Sequence, residues 1–159
     1  MSFANIVNAA WRLGLKVAYR AQLIYWLCRR PTVTGVYVAV WHAGRLLIIQ
    51  NSYKTYRTIP CGLPRRREQL KDSAARELRE EAGIDLDPRD LRFATDFVIY
   101  QDCKQDHVHF FEVELADEPP IVVDGREVIW GAFEKPEQAL SHRLSPAVRE
   151  YLQRRESDV

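Results

Sequence analysis

Apolar residues recur at helical spacing over residues 5–30: Ile6, Val7, Ala10, Trp11, Leu13, Val17, Leu23, Ile24, Trp26 and Leu27. Asn5, Asn8, Arg12, Lys16 and Arg20 fall three or four apart among them, so the pattern predicts one helix with a narrow, mostly basic polar stripe. Pro31 ends it, because the residue before proline avoids the helical region. The period then shortens. Residues 34–42 and 45–50 are rich in β-branched and aromatic side chains and flank Ala43-Gly44, which predicts two paired strands. Helical spacing returns after residue 72. Asp72 or Ser73 is suited to cap that helix, Ala74, Ala75, Leu78 and Ala82 form its packing surface, and Gly83 suits a left-handed close. Asp87-Pro88 breaks the chain. Residues 91–100 and 107–115 predict an antiparallel pair joined by a polar turn over 101–106, with His107 and His109 on the face opposite Val108 and Phe110. Residues 128–133 predict a last strand, residues 136–140 a helical turn, and Ser145-Pro146 the start of a final helix to about residue 154. Short strands mixed with a few helices, without a regular βαβ repeat, define an α+β sandwich.

The helix after residue 72 carries chemistry as well as packing. Glu77, Glu80 and Glu81 stand at i, i+3 and i+4 and share one face. Two carboxylates about 5 Å apart at an effective dielectric of about 20 repel by roughly 3 kcal/mol. Arg76 offsets part of that. A hard divalent cation offsets more, and clustered carboxylates are the donors it prefers. The plainer reading is a solvated face with Glu–Arg pairing.

The surrounding spacing separates the two readings. Gly62, Glu68, Arg76-Glu77-Leu78, Glu80-Glu81 and Gly83-Ile84 match every fixed position of the Nudix box, so the chain resembles the Nudix hydrolases. The box covers residues 62–84, and the order of elements extends the likeness to roughly residues 34–155. The resemblance implies an α/β/α sandwich with a mixed sheet between helices over residues 32–159; the extra helix of residues 1–31 lies outside the resemblance. It implies Mg²⁺ or Mn²⁺ as cofactor. The substrate class it implies is a nucleoside diphosphate linked to a second moiety, split into a nucleoside monophosphate and a phosphorylated product.

Roles carry over by position. Glu80 and Glu81 are the strongest expected metal ligands. Glu77 is a ligand or orients the attacking water, and Glu68 adds a ligand from the loop. Arg76 positions a motif carboxylate. The Cys61 backbone carbonyl is a further metal donor, and Glu127 is the expected loop ligand or general base. Two positions depart from the family pattern: Cys61 and Arg67 stand where glycines are usual. Cys tolerates the expected backbone angle less well than Gly. With Arg65 and Arg66, Arg67 makes a basic turn suited either to a polyphosphate or to solvent. These departures are the sequence support for a second reading, a Nudix-fold binding or regulatory protein with weakened turnover.

Composition narrows the setting. The chain has 159 residues and a formal net charge of +1, enough for one domain and no global case for a nucleic-acid polymer as partner. Three cysteines without paired spacing argue for reduced thiols and a cytoplasmic location. Arg12, Lys16 and Arg20 interrupt the first helix, so it offers no membrane span. So apolar a helix must still cover something. Its own domain or the twin subunit of a homodimer is the favoured partner, and a membrane surface is the less favoured one. Tyr53, Lys54, Tyr56 and Arg57 stand in the loop before the motif, where they suit a base and phosphates or plain solvent. Cys103, His107 and His109 lack a fourth zinc ligand, and the histidines fit a sheet face.

Overall fold

The computed structural model describes residues 3–157, with side chains from Ile6 onward; the Asn5 side chain of the expected polar stripe lies outside them. α1 (Phe3–Arg29) leads into β1 (Thr32–His42), β2 (Arg45–Asn51) and the two-residue β3 (Cys61–Gly62). The motif helix α2 (Leu70–Ala82) follows, then β4 (Arg92–Gln101), β5 (Lys104–Glu114), β6 (Val128–Glu134), α3 (Pro136–Ser141) and α4 (Pro146–Ser157). The strands lie in the order β4-β5-β1-β2-β6. β1 runs parallel to β5, and the other neighbours are antiparallel, so the sheet is mixed as expected.

β1 is buried on both faces, which is why its sequence reads as a continuous apolar run. Val36, Val38 and Val40 pack with Ala74, Leu78 and Phe111 under α2. Tyr37, Ala39 and Trp41 pack with Phe110, Tyr151 and Leu152 under α4. On that second side the Tyr151 ring stacks on Phe110 at 4.6 Å. Its hydroxyl donates to Glu112 at 2.5 Å and accepts from Trp41 Nε1 at 3.0 Å. β1 and β2 pair only at their shared end, through Trp41–Leu46 and His42–Arg45. β3 pairs with β1 at Tyr37 and Val36, on the edge that β2 leaves free. This fork brings the start of the motif to the middle of the sheet.

Three local expectations change. The β4–β5 turn is only Asp102-Cys103, both in the left-handed region (φ 50° and 62°), the geometry of a two-residue hairpin. The strands are longer because Lys104 and Asp106, polar in sequence, pair with each other inside and continue the ladder. α2 starts earlier than Asp72, with Gln69 at the cap position and no side-chain cap bond. The Ser73 hydroxyl is taken by Arg76 at 3.1 Å. Ser145 precedes α4, but its hydroxyl turns to Gln101 at 3.5 Å instead of the helix amides.

Candidate active site

α2 is placed by its apolar face. Ala74, Leu78 and Ala82 are fully buried, and Gly83 closes the helix at φ 70° with its N–H on the Arg79 carbonyl. With that face inward, the motif carboxylates fall at the helix edge nearest β3 and the loop before α2.

Arg76 is the hub. It forks onto Glu68, with Nε at 2.8 Å and Nη2 at 2.9 Å. It donates to Glu77 at 2.6 Å, to Glu80 at 3.2 Å and to the Leu63 carbonyl at 3.2 Å. Glu68 also accepts the Arg65 N–H at 2.7 Å. Hydrogen bonding from Arg76, with help from that backbone bond, lowers its pKa to about 2. Burial pushes the Glu77 pKa up, opposed by Arg76 and helped by the charges of Glu80 and Glu127. Glu80 lies at the solvent rim, between Arg76 and Arg65.

Glu81 stands apart from the hub. Its side chain is buried, with Oε1 on the Asn51 amide at 3.0 Å and Oε2 on the Cys61 N–H at 2.8 Å. Burial raises its pKa to about 8, against the opposing pull of Lys54. Glu68, Glu77 and Glu80 therefore converge on Arg76, and Glu81 on the β3 entrance. Among the described residues one histidine–aspartate group brings ligand atoms within 4.8 Å: Asp96, His107 and His109, without Cys103. Asp96 already hydrogen-bonds His107 at 2.7 Å, which accounts for that approach without an ion.

The glycine of the motif has a steric reason. A Cβ on Gly62 would sit 2.1 Å from Glu77 Oε1, so only glycine leaves room for this carboxylate. Cys61 is not in the left-handed region, so the strain expected there is absent. Its thiol is pushed up to about 12 by burial. Arg67, by contrast, does occupy the left-handed region at φ 65°.

Glu127 faces the motif from another direction. Asp124 accepts the N–H groups of Arg126, Glu127 and Val128 and so shapes the loop. Ser52 N–H binds the Glu127 carbonyl at 2.7 Å, and Tyr53 donates its hydroxyl to the Glu127 carboxylate at 2.9 Å. Glu77 and Glu127 line a cavity of about 380 Å³. Lys54, Cys61, Gly62, Tyr37, Gln101, Lys104 and Asp106 line it as well. Gln101 donates to Tyr37 at 2.6 Å and to Asp106 at 3.0 Å, and Lys104 pairs with Asp106. Tyr19 and Trp26 of α1 line the same cavity.

Sequence reasoning missed Asn51, the polar cluster of Gln101, Lys104 and Asp106 and the contribution of α1. Asp106 shares strand parity with Val108 and Phe110, so a carboxylate on that inward face was the available signal. Nothing in the sequence directs α1 to the cavity.

Do these residues fit a hard cation? The donors are carboxylate oxygens, as such an ion prefers. Asn51 Oδ1, beside Glu81, is buried with no partner among the described residues. The space over Gly62 is kept open for Glu77. All three observations fit a divalent ion held here.

A mixed sheet thus lies between helices, with a glycine entrance and a carboxylate-bearing helix beside one cavity. A NUDIX domain model matches residues 30–154, and the chain belongs to the Nudix hydrolase superfamily. The fold is shared with a MutT protein from Methanosarcina mazei Go1 (TM-score 0.70, 20% identity, covering 81% of this chain and 96% of that one). It is shared with a C. elegans Ap4A hydrolase binary complex (0.66, 19%, 79% and 96%). The E. coli dihydroneopterin triphosphate pyrophosphohydrolase is similar too (0.64, 18%, 76% and 92%). No curated protein matches the sequence at a significant level.

Proposed function

We propose that this protein hydrolyses the pyrophosphate bond of a nucleoside diphosphate linked to another moiety, with Mg²⁺ or Mn²⁺. The observation that carries this reading is that Glu77, packed over Gly62, lines one cavity with Glu127, while buried Glu81 holds the Cys61 N–H of the same entrance. Glu77 and Glu81 would hold the ion, joined by the carbonyl of Cys61, whose own N–H binds Glu81, with Glu80 and Glu68 as further carboxylates. When bound, the ion neutralises phosphate oxygens and lowers the pKa of the attacking water. Arg76 holds Glu68, Glu77 and Glu80 in place and keeps like charges from driving the helix edge apart. Glu127 is the residue proposed to accept a proton from water, steadied by Tyr53. Lys54 lines the cavity and supplies positive charge for the phosphates. Tyr37, Gln101, Lys104 and Asp106, in the lining of the same cavity, offer hydrogen-bonding groups beside aromatic surface and suit the nucleoside or its attached group.

The test is a panel of nucleotide sugars, dinucleoside polyphosphates and nucleoside triphosphates, each with Mg²⁺, with Mn²⁺ and with chelator, read by product mass. A metal-dependent nucleoside monophosphate product from at least one compound is expected. Absence of turnover across the panel with both metals, together with no calorimetric uptake of either ion, refutes the proposal.

A further inference from the structure

α1 lies outside the family match, which begins at residue 30. One face of it looks inward: Leu15, Tyr19, Gln22 and Trp26 line the cavity. Arg12 donates to the Gly125 carbonyl at 2.8 Å, and Arg126 reaches Asn8 at 3.1 Å. Tyr19 packs on Tyr53 at 5.0 Å. The helix is thus tied to the loop that carries Glu127. Its opposite face is left exposed by the described residues. Ile6, Leu13, Val17, Ile24 and Leu27, spaced three, four or seven apart, are 53% to 64% exposed. At 27 residues the helix is about 40 Å long, so this is an extended apolar stripe.

Charge decides what the stripe fits. The formal charge of +1 conceals a strong asymmetry: residues 1–67 hold eleven Lys and Arg and no Asp or Glu. Five of the eleven (Arg12, Lys16, Arg20, Arg29 and Arg30) are on α1 or follow it directly. Arg20 sits within the stripe, between Val17 and Ile24, and Lys16 borders it. A second copy of the helix would bring the same positive charges together with no carboxylate on either helix to pair them. An anionic lipid surface satisfies both features, taking the apolar side chains into its boundary and the Lys and Arg among its head groups. No helix of the described residues is long and apolar enough to cross a membrane, so contact is in the plane. We infer that α1 docks this protein on anionic lipid through its outer face, with the cavity on the other side of the same helix. The inference does not depend on what the cavity hydrolyses.

Co-sedimentation of the full chain with lipid vesicles tests it. Vesicles of phosphatidylcholine alone are compared with vesicles containing about one third phosphatidylglycerol. Binding to the anionic vesicles only, weakened by salt, is expected. Leu13→Glu/Ile24→Glu and Lys16→Glu/Arg20→Glu should each reduce it at least about tenfold. Both pairs face solvent, so circular dichroism should be unchanged; if one variant misfolds, the other still decides. Three results overturn the inference: no association with anionic vesicles, equal association with neutral ones, or a dimer by light scattering that Leu13→Glu/Ile24→Glu dissolves.

Discussion

α1 and α2 are both amphipathic in sequence, and the fold uses them in opposite ways. α2 has 13 residues, of which Ser73, Ala74, Ala75, Leu78, Glu81 and Ala82 are buried. α1 has 27 residues, and among its described side chains Trp26 alone is buried. Helical spacing of apolar residues therefore shows that a face exists, not what covers it. In α2 the sheet covers the face, and a carboxylate is carried in with it. In α1 the covered part touches a cavity, and the apolar stripe points away.

The largest effect that tests this contrast is Glu81→Gln against Val17→Gln. Glu81 is buried in α2 behind the proposed ion site, and Val17 is exposed on α1. Loss of several kcal/mol of metal-borne stabilisation lowers turnover by about a thousandfold. Glu80→Gln, at the rim, should also abolish most turnover if it ligates. The fold should survive in Glu81→Gln: the new amide still accepts the Cys61 N–H, and a flipped Asn51 brings its unpartnered oxygen to the new NH₂. Turnover by initial rate and stability by thermal melt check this, and Val17→Gln should move neither. Full metal-dependent activity in Glu81→Gln would remove Glu81 from the chemistry.

Next is packing. Leu78→Ala removes a fully buried side chain between α2 and the sheet and should cost about 3 kcal/mol. Ile24→Ala, on the exposed face of α1, should stay within about 0.5 kcal/mol. Denaturant titration gives both. A comparable loss at Ile24 would mean that α1 is covered in solution by something the described residues do not supply.

The contrast also marks how much could be read in advance. The sandwich, the strand runs and the left-handed close at Gly83 follow from local rules of period and turn chemistry, and the motif spacing located the carboxylates on their helix. The departures are tertiary. Lys104 and Asp106 read as turn residues because each is polar, yet together they form a buried pair. Asn51 gave no signal, since its role comes from the fork that brings β2 beside α2. Cys61 suggested backbone strain and shows none, because β3 is extended there.

A third change works on the entrance between the two helices. In Gly62→Ala the new Cβ would overlap Glu77, so the carboxylate must swing out of the space it occupies. Misplacing a reacting group by about 1 Å can cost about a hundredfold in rate. The loss should appear in kcat, with affinity for substrate held by the other groups that line the cavity, Tyr37, Gln101 and Lys104 among them. A change in KM alone would place Glu77 in binding and not in the metal centre.

The smallest effects compare how the helices begin and end. α2 closes on Gly83 at φ 70°, and α1 is followed by Arg30 at φ 44°. The entrance to α2 also holds a non-glycine residue in this region, Arg67 at φ 65°. A left-handed conformation costs an ordinary residue about 1 kcal/mol, which glycine avoids, although glycine adds chain entropy to the unfolded state. Arg67→Gly and Arg30→Gly should therefore each change stability by less than about 1 kcal/mol, in the stabilising direction. Gly83→Ala should go the other way by more, since its Cβ meets both the unfavourable angle and Val122 Cβ at 2.7 Å. The opposite signs are the useful result. If Arg67→Gly instead destabilises, the Arg67 side chain holds the turn through contacts worth more than the strain. The basic turn would then be a built part of the entrance to the carboxylate helix and not a solvated loop.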